Sequence, residues 1–198
     1  NNRIRILLTI GLIVLSQQFG NAQSNQNQQF LSKVGVVHSI KSTVLNETRE
    51  IYIYIPSSYT PERKQNYPVA FIIDGEVFLP TVVDMHNYYS GGFIPEMVLV
   101  GISSGNNRVK DLTPSKITTK YGMPFNEENG EAEKFFTFIE KELIPFIENK
   151  YPVTNYRTLI GHSYGGLFTV YSLLKHSEVF ANYLAIDPSL DWDDQKLI

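Results

Sequence analysis

Uninterrupted apolar runs alternate along this chain with longer amphipathic stretches, and the two patterns predict strands and helices in turn. Val69-Ala70-Phe71-Ile72-Ile73 has no polar member and stops at Asp74-Gly75, as a strand buried on both faces does. Met97 to Ile102 reads the same way, as do Arg157 to Ile160 and Tyr183 to Ile186. In Ile51-Tyr52-Ile53-Tyr54-Ile55 every side chain is β-branched or aromatic, so a strand is expected over Glu50 to Ile55, closed by Pro56 and Pro61. Val34 to Ile40 predicts a further strand ahead of it.

From Glu131 to Asn149 the period changes. Phe135, Ile139, Leu143 and Phe146 or Ile147 recur every three or four residues, leaving glutamates and lysines on the other face of a helix. Asn129 is the expected cap, Glu131 and Glu133 suit the positive end, and Pro145 should kink the helix or tighten its last turns. Buried strands alternating with amphipathic helices predict an α/β fold, with a mostly parallel central sheet and helices on both faces.

One segment adds chemistry to that frame. Thr158-Leu159-Ile160 runs into Gly161-His162-Ser163-Tyr164-Gly165-Gly166, and Leu167 to Leu174 follows as a helix. A G-x-S-x-G pattern between strand and helix predicts a nucleophile elbow, with the Ser163 hydroxyl projecting from the carboxyl end of the sheet. Gly161 and Gly165 are read as the positions where any side chain would collide across the turn. The pattern fits neither phosphate-binding glycine motif, since no lysine follows and the spacing is wrong.

Composition narrows the class without naming it. With 198 residues, 42% hydrophobic and 19% charged, the chain is long and apolar enough for one globular domain. A net charge of −3 gives no electrostatic reason to expect nucleic acid. The absence of cysteine removes disulfides, thiolate metal sites and a cysteine nucleophile. At the front, Arg3 and Arg5 precede the apolar run Ile6 to Leu15, and Gly20-Asn21-Ala22 places small residues before a cut. Residues 1–22 therefore read as a secretory signal peptide, predicting a secreted or periplasmic protein without stable membrane insertion. Residues 23–33 read as a flexible polar lead-in, and 34–198 as the folded domain.

A serine needs a base to take its proton. Of His38, His86, His162 and His176, only His176 lies downstream of Ser163. It falls at the far end of the helix leaving the elbow, roughly 20 Å away at ~1.5 Å per residue. His162 should turn into the packing beneath the turn, and His38 and His86 read as surface or strand-end residues. Asp187 before Pro188 reads as a turn residue. Asp191, Asp193 and Asp194 lack the spacing of a calcium loop, and Asp84-Met85-His86 lacks further ligands, so neither a metal nor a cofactor is expected.

Several stretches besides the elbow resemble one family. These are Tyr54 to Tyr59, Ile72-Ile73-Asp74-Gly75-Glu76, Val100-Gly101-Ile102 with Arg108, Asp111-Leu112-Thr113-Pro114-Ser115, Phe138 to Phe146 and Asp187-Pro188-Ser189-Leu190. Across roughly Val37 to Asp193 the chain is similar to the putative esterase family of α/β-hydrolases, the branch with esterase D and enterochelin esterase-like proteins.

The resemblance implies that Ser163 is the nucleophile and that the backbone N–H groups of Tyr164 and Glu76 form the oxyanion hole, with the Glu76 carboxylate turned outward. It implies an acid and a histidine beyond Ser189, so the domain is expected to be C-terminally incomplete and, by itself, nearly inactive. Asp191 departs from the pattern, where relatives commonly carry an aromatic residue. The activity expected is a serine esterase acting on a small-molecule or polysaccharide ester. An acyltransferase of the same fold and a non-catalytic binding module are the alternatives.

Overall fold

The computed structural model describes residues 35–62 and 65–197. The expected signal peptide, the lead-in and the Val34 end of the first strand lie outside them. Among the described residues there are eight strands and five α-helices: β1 (Val36–Ser42), β2 (Glu47–Tyr54), β3 (Tyr67–Ile73), α1 (Gly75–Tyr89), β4 (Val98–Ile102), α2 (Arg108–Leu112), β5 (Thr119–Lys120), β6 (Met123–Pro124), α3 (Ala132–Phe138), α4 (Ile144–Lys150), β7 (Val153–His162), α5 (Tyr164–Lys175) and β8 (Asn182–Ile186).

Six strands form one sheet in the order β1-β2-β4-β3-β7-β8, and β5 pairs with β6 in a separate hairpin. β1, β2 and β4 run antiparallel in succession, while β4, β3, β7 and β8 are parallel neighbours. The apolar runs dictate that placement. All five residues of β4 are buried, as is every residue of β3 except Pro68, because helices cover both faces.

On one face Phe71, Val100 and Ile102 pack with Phe135, Phe138, Ile139 and Phe168 from the helices that flank the elbow strand. On the other, α1 lays Leu79 and Val83 on Tyr52, Ala70, Ile72 and Leu99. Burying one such large side chain contributes about 1.5–3 kcal/mol, so the two layers fix the sheet. This is the α/β arrangement expected from the strand pattern, and it agrees with the α/β-hydrolase fold that the resemblance implies.

Three expectations change in detail. The 131–149 helix is continuous but widens to a π-turn over Ile139–Leu143 between α3 and α4. Pro145 has no amide to give the preceding turn, and the Ile144 N–H bonds five residues back to Ile139. Asn129 does not cap this helix. Its amide instead satisfies the backbone of Ile117 on both sides, at 2.7 and 3.0 Å, as a buried substitute for a strand partner. The helix α1 was not expected from the sequence at all.

Candidate active site

Two tight turns at the carboxyl ends of neighbouring strands make up the site. The first follows β7. Ser163 takes φ 57° and ψ −118°, a conformation that L-residues rarely occupy, and α5 begins at the next residue. Its amide donates to the Ile186 carbonyl at 3.1 Å, and its carbonyl accepts from Leu167 at 2.9 Å and Ser189 at 3.1 Å. The backbone is held at both ends, so the strain persists. The hydroxyl, half-buried, lies 3.2 Å from that of Ser189.

Gly161 makes the turn possible. A methyl group there would sit 2.1 Å from the Gly165 carbonyl oxygen, a backbone collision with no relief. Gly165 is less restrictive than the sequence suggested. A methyl at 165 would meet a side-chain methyl of Ile73 at 3.1 Å, which a small shift relieves. Gly166 faces the backbone around Pro188 at 2.9 Å and is the tighter of the two.

The second turn follows β3. Asp74, buried, is left-handed at φ 55° and caps α1, its carbonyl accepting the Val77 and Phe78 amides at 2.9 and 3.0 Å. Gly75 presses so closely on Gly101 that a methyl would come within 2.4 Å of its backbone. The Glu76 amide therefore stands in the first turn of α1, where helical amides have no intrahelical acceptor. The Glu76 carboxylate does not point to solvent as expected. It folds onto the Ser104 and Gly105 amides at 3.1 and 3.2 Å, and its burial raises its pKa.

Arg108 stands between the turns. Its Nε donates to both Asp74 carboxylate oxygens at 3.0 and 3.1 Å, and its Nη2 donates to Asp74 at 2.9 Å. Behind it the buried Arg49 pairs with Asp111 at 2.6 Å and donates to the Ser103 carbonyl at 2.8 Å. On the outer side Lys120, from the β5–β6 hairpin, donates to the Tyr164 hydroxyl at 2.7 Å. Its ammonium lies 4.9 to 5.3 Å from the rings of Tyr164, Tyr121 and Trp192. Asp191 joins this rim, hydrogen-bonded by Tyr121 and 3.8 Å from Lys120.

The histidines are engaged elsewhere. His162 stacks edge-on against Phe78 beneath the turn, as expected. His176 lies flat on Phe136 and bonds Glu133 at 3.0 Å at the end of α5. His38 bonds the Tyr151 hydroxyl. His86 is not the surface or strand-end residue expected from the sequence. It sits on the inward side of α1, 4% exposed, and accepts the Met97 amide at 2.9 Å. Asp187 ends β8 exposed and left-handed at φ 42°.

Residues 42–194, from the end of β1 through both turns to the Trp192 rim, match the model of the family described as "Putative esterase". The chain belongs to that family. Among the putative esterase relatives, the ferri-bacillibactin esterase BesA of Bacillus subtilis is 34% identical over 164 residues, covering 75% of this chain and 56% of its own. The siderophore enterobactin esterase of Emericella nidulans is 41% identical over 80 residues, 39% of this chain and 26% of its own. An IroE-like serine hydrolase from Shewanella oneidensis superposes with a TM-score of 0.75 at 34% identity, covering 79% of this chain and 51% of its own. This putative esterase chain thus spans about half the length of BesA and of the Shewanella hydrolase, and about a quarter of the Emericella esterase.

Proposed function

We propose that this chain carries the nucleophile and oxyanion hole of an exported serine esterase that cleaves a small-molecule carboxylic ester of the siderophore class. The backbone of Ser163 carries the reading. A strained φ above zero at a serine between a buried strand and a helix N-terminus is costly; hydrogen bonds at both ends hold it, and it is the backbone a nucleophile elbow needs. The Ser163 hydroxyl attacks the ester carbonyl, its proton passes to a base, and the alcohol leaves as the acyl-enzyme forms. Water then releases the acid.

Negative charge develops on the carbonyl oxygen during both steps. The Tyr164 amide at the start of α5 and the Glu76 amide at the start of α1 are the donors that receive it. The base is none of the four histidines in the sequence, given their partners. The family resemblance implies an acid and a histidine beyond Ser189. The names of the relatives support a siderophore ester as substrate, and the signal-like residues 1–22 support export.

The test uses protein expressed from the complete gene. A fluorophosphonate probe should label Ser163, with labelling lost in Ser163→Ala, and ferric and iron-free siderophore esters should be hydrolysed by the wild type alone. Well-folded protein whose Ser163 takes no label would refute the nucleophile assignment. Labelling combined with turnover of simple acyl esters only would refute the substrate.

A further inference from the structure

A single guanidinium touches both turns that carry the proposed oxyanion amides. Arg108 binds the Asp74 carboxylate in a forked pair, and the same Nη2 reaches the His162 carbonyl at 3.4 Å. Its Cζ lies 5.4 Å from the centre of the Tyr164 ring. Asp74 in turn lies against the start of α5, since a methyl on Gly165 would come within 3.5 Å of its Oδ2. The turn after β3 and the turn after β7 are thus joined by side chain as well as by sheet.

The segment that carries Arg108 is fixed at both ends by one buried residue. Arg49 holds the Ser103 carbonyl at its start and the Asp111 carboxylate at its end, with both charged groups buried. The Glu76 carboxylate holds the Ser104 and Gly105 amides between them. With its segment anchored in this way, the Arg108 side chain is a strut of set length between the turn after β3 and the elbow.

We propose that Arg108 is a positioning residue that sets the separation of the Glu76 and Tyr164 amides by locking Asp74 to the His162 carbonyl. The proposal rests on the reading of Ser163 as nucleophile and of those two amides as its oxyanion donors. Donors on separate turns act together only if their spacing is fixed before the charge appears. A forked Arg–carboxylate pair supplies fixed geometry that a lysine, a point charge on a flexible stem, does not.

A guanidinium beside a nucleophile could also hold an anionic group of the substrate. The geometry points to the strut, because Nε and Nη2 are both spent on Asp74 and the side chain is only 35% exposed.

The two roles separate in kinetics. With protein from the complete gene, Arg108→Met and Arg108→Lys should lower kcat about 10- to 1,000-fold on neutral and anionic esters alike, leaving KM within about threefold. The isosteric Asp74→Asn should do the same, and the Arg108→Met/Asp74→Asn pair should cost little more than either alone. A rise in KM confined to anionic esters, or full rescue by lysine, overturns the proposal. Hydrogen exchange gives a readout that needs no turnover. Arg108→Met should speed exchange of the amides at 76–78 and at 164–166 together. Unchanged exchange at either turn overturns the strut, whereas a wild type that cleaves no ester counts against the nucleophile reading instead.

Discussion

The Ser163 and Ser189 hydroxyls face each other at 3.2 Å, and the Ser189 amide also holds the Ser163 carbonyl at 3.1 Å. The segment after β8 therefore both braces the elbow and supplies the present partner of its hydroxyl. A neutral hydrogen bond of this kind contributes a net of about 0.5–1.5 kcal/mol, or roughly 2- to 12-fold in a rate that depends on it. Ser189→Ala should change the fluorophosphonate labelling rate of Ser163 within that range. Ser163→Ala should abolish labelling. Complete loss of labelling in folded Ser189→Ala would make Ser189 part of the chemistry.

Gly161→Ala should be the most damaging glycine substitution in the elbow, because the added methyl would meet the Gly165 carbonyl oxygen at 2.1 Å. We expect a loss of about 3 kcal/mol or more in urea unfolding together with loss of probe labelling. Gly166→Ala should cost less and Gly165→Ala least, the order in which their contacts loosen and turn from backbone to side chain. An equal cost at 161 and 165 would contradict the packing described.

Arg49→Met strands Asp111 in the interior, where burial already pushes its carboxyl up against the pull of the arginine. Breaking one side of such a buried pair costs about 3–5 kcal/mol. Denaturant midpoints should show that loss, and Asp111→Leu added to Arg49→Met should recover part of it. A double variant no better than the single would mean that the cost is lost packing on Phe135, whose ring lies 5.2 Å from the guanidinium.

Much of the fold was legible because the central strands of the sheet are buried on both faces. Continuous apolar residues from Val69 to Ile73 and from Met97 to Ile102 can be little else in a chain with helical stretches between them. The helix α1 was hidden. Its inward residues Leu79, Val83 and His86 do keep a helical interval, but Pro80 interrupts the pattern and Asp74-Gly75 reads as a turn. The elbow could be read from five adjacent residues. The Arg108–Asp74 pair joins positions far apart in the chain, and no local period records it.

Burial holds the His86 imidazole below the usual histidine range, against the opposing effects of Asn87 and Glu96. The unfolded chain takes up that proton near pH 6.5, and the folded one only at lower pH. This contribution to stability is full above roughly pH 6.5 and is lost as pH falls below it. His38, lowered by burial and by Lys150, acts in the same direction. His86→Gln can keep an acceptor for the Met97 amide but cannot titrate. Its midpoint should fall less than that of the wild type between pH 7.5 and about 5.5. Parallel curves would remove His86 as the source.

β8 pairs with β7 and forms one edge of the six-stranded sheet. Asn182-Tyr-Leu-Ala-Ile186 has no charge and no proline to deter another strand, and Leu184 and Ile186 are 50% and 46% exposed. The 198-residue chain should associate as concentration rises, and Leu184→Lys should keep it monomeric in sedimentation experiments. A wild type that stays monomeric at high concentration would show this edge to be harmless.

The dihedral angles at residue 163 also restrict how this scaffold can change over generations. Cysteine, unbranched at Cβ, can take the same backbone conformation and leave a working thiol at the apex. Threonine carries a second heavy atom on Cβ, which the left-handed half of conformational space rejects. On the proposed reading of Ser163, a lineage built on this bend can move from hydroxyl to sulfur chemistry in one substitution, but a threonine nucleophile at this apex is closed to it.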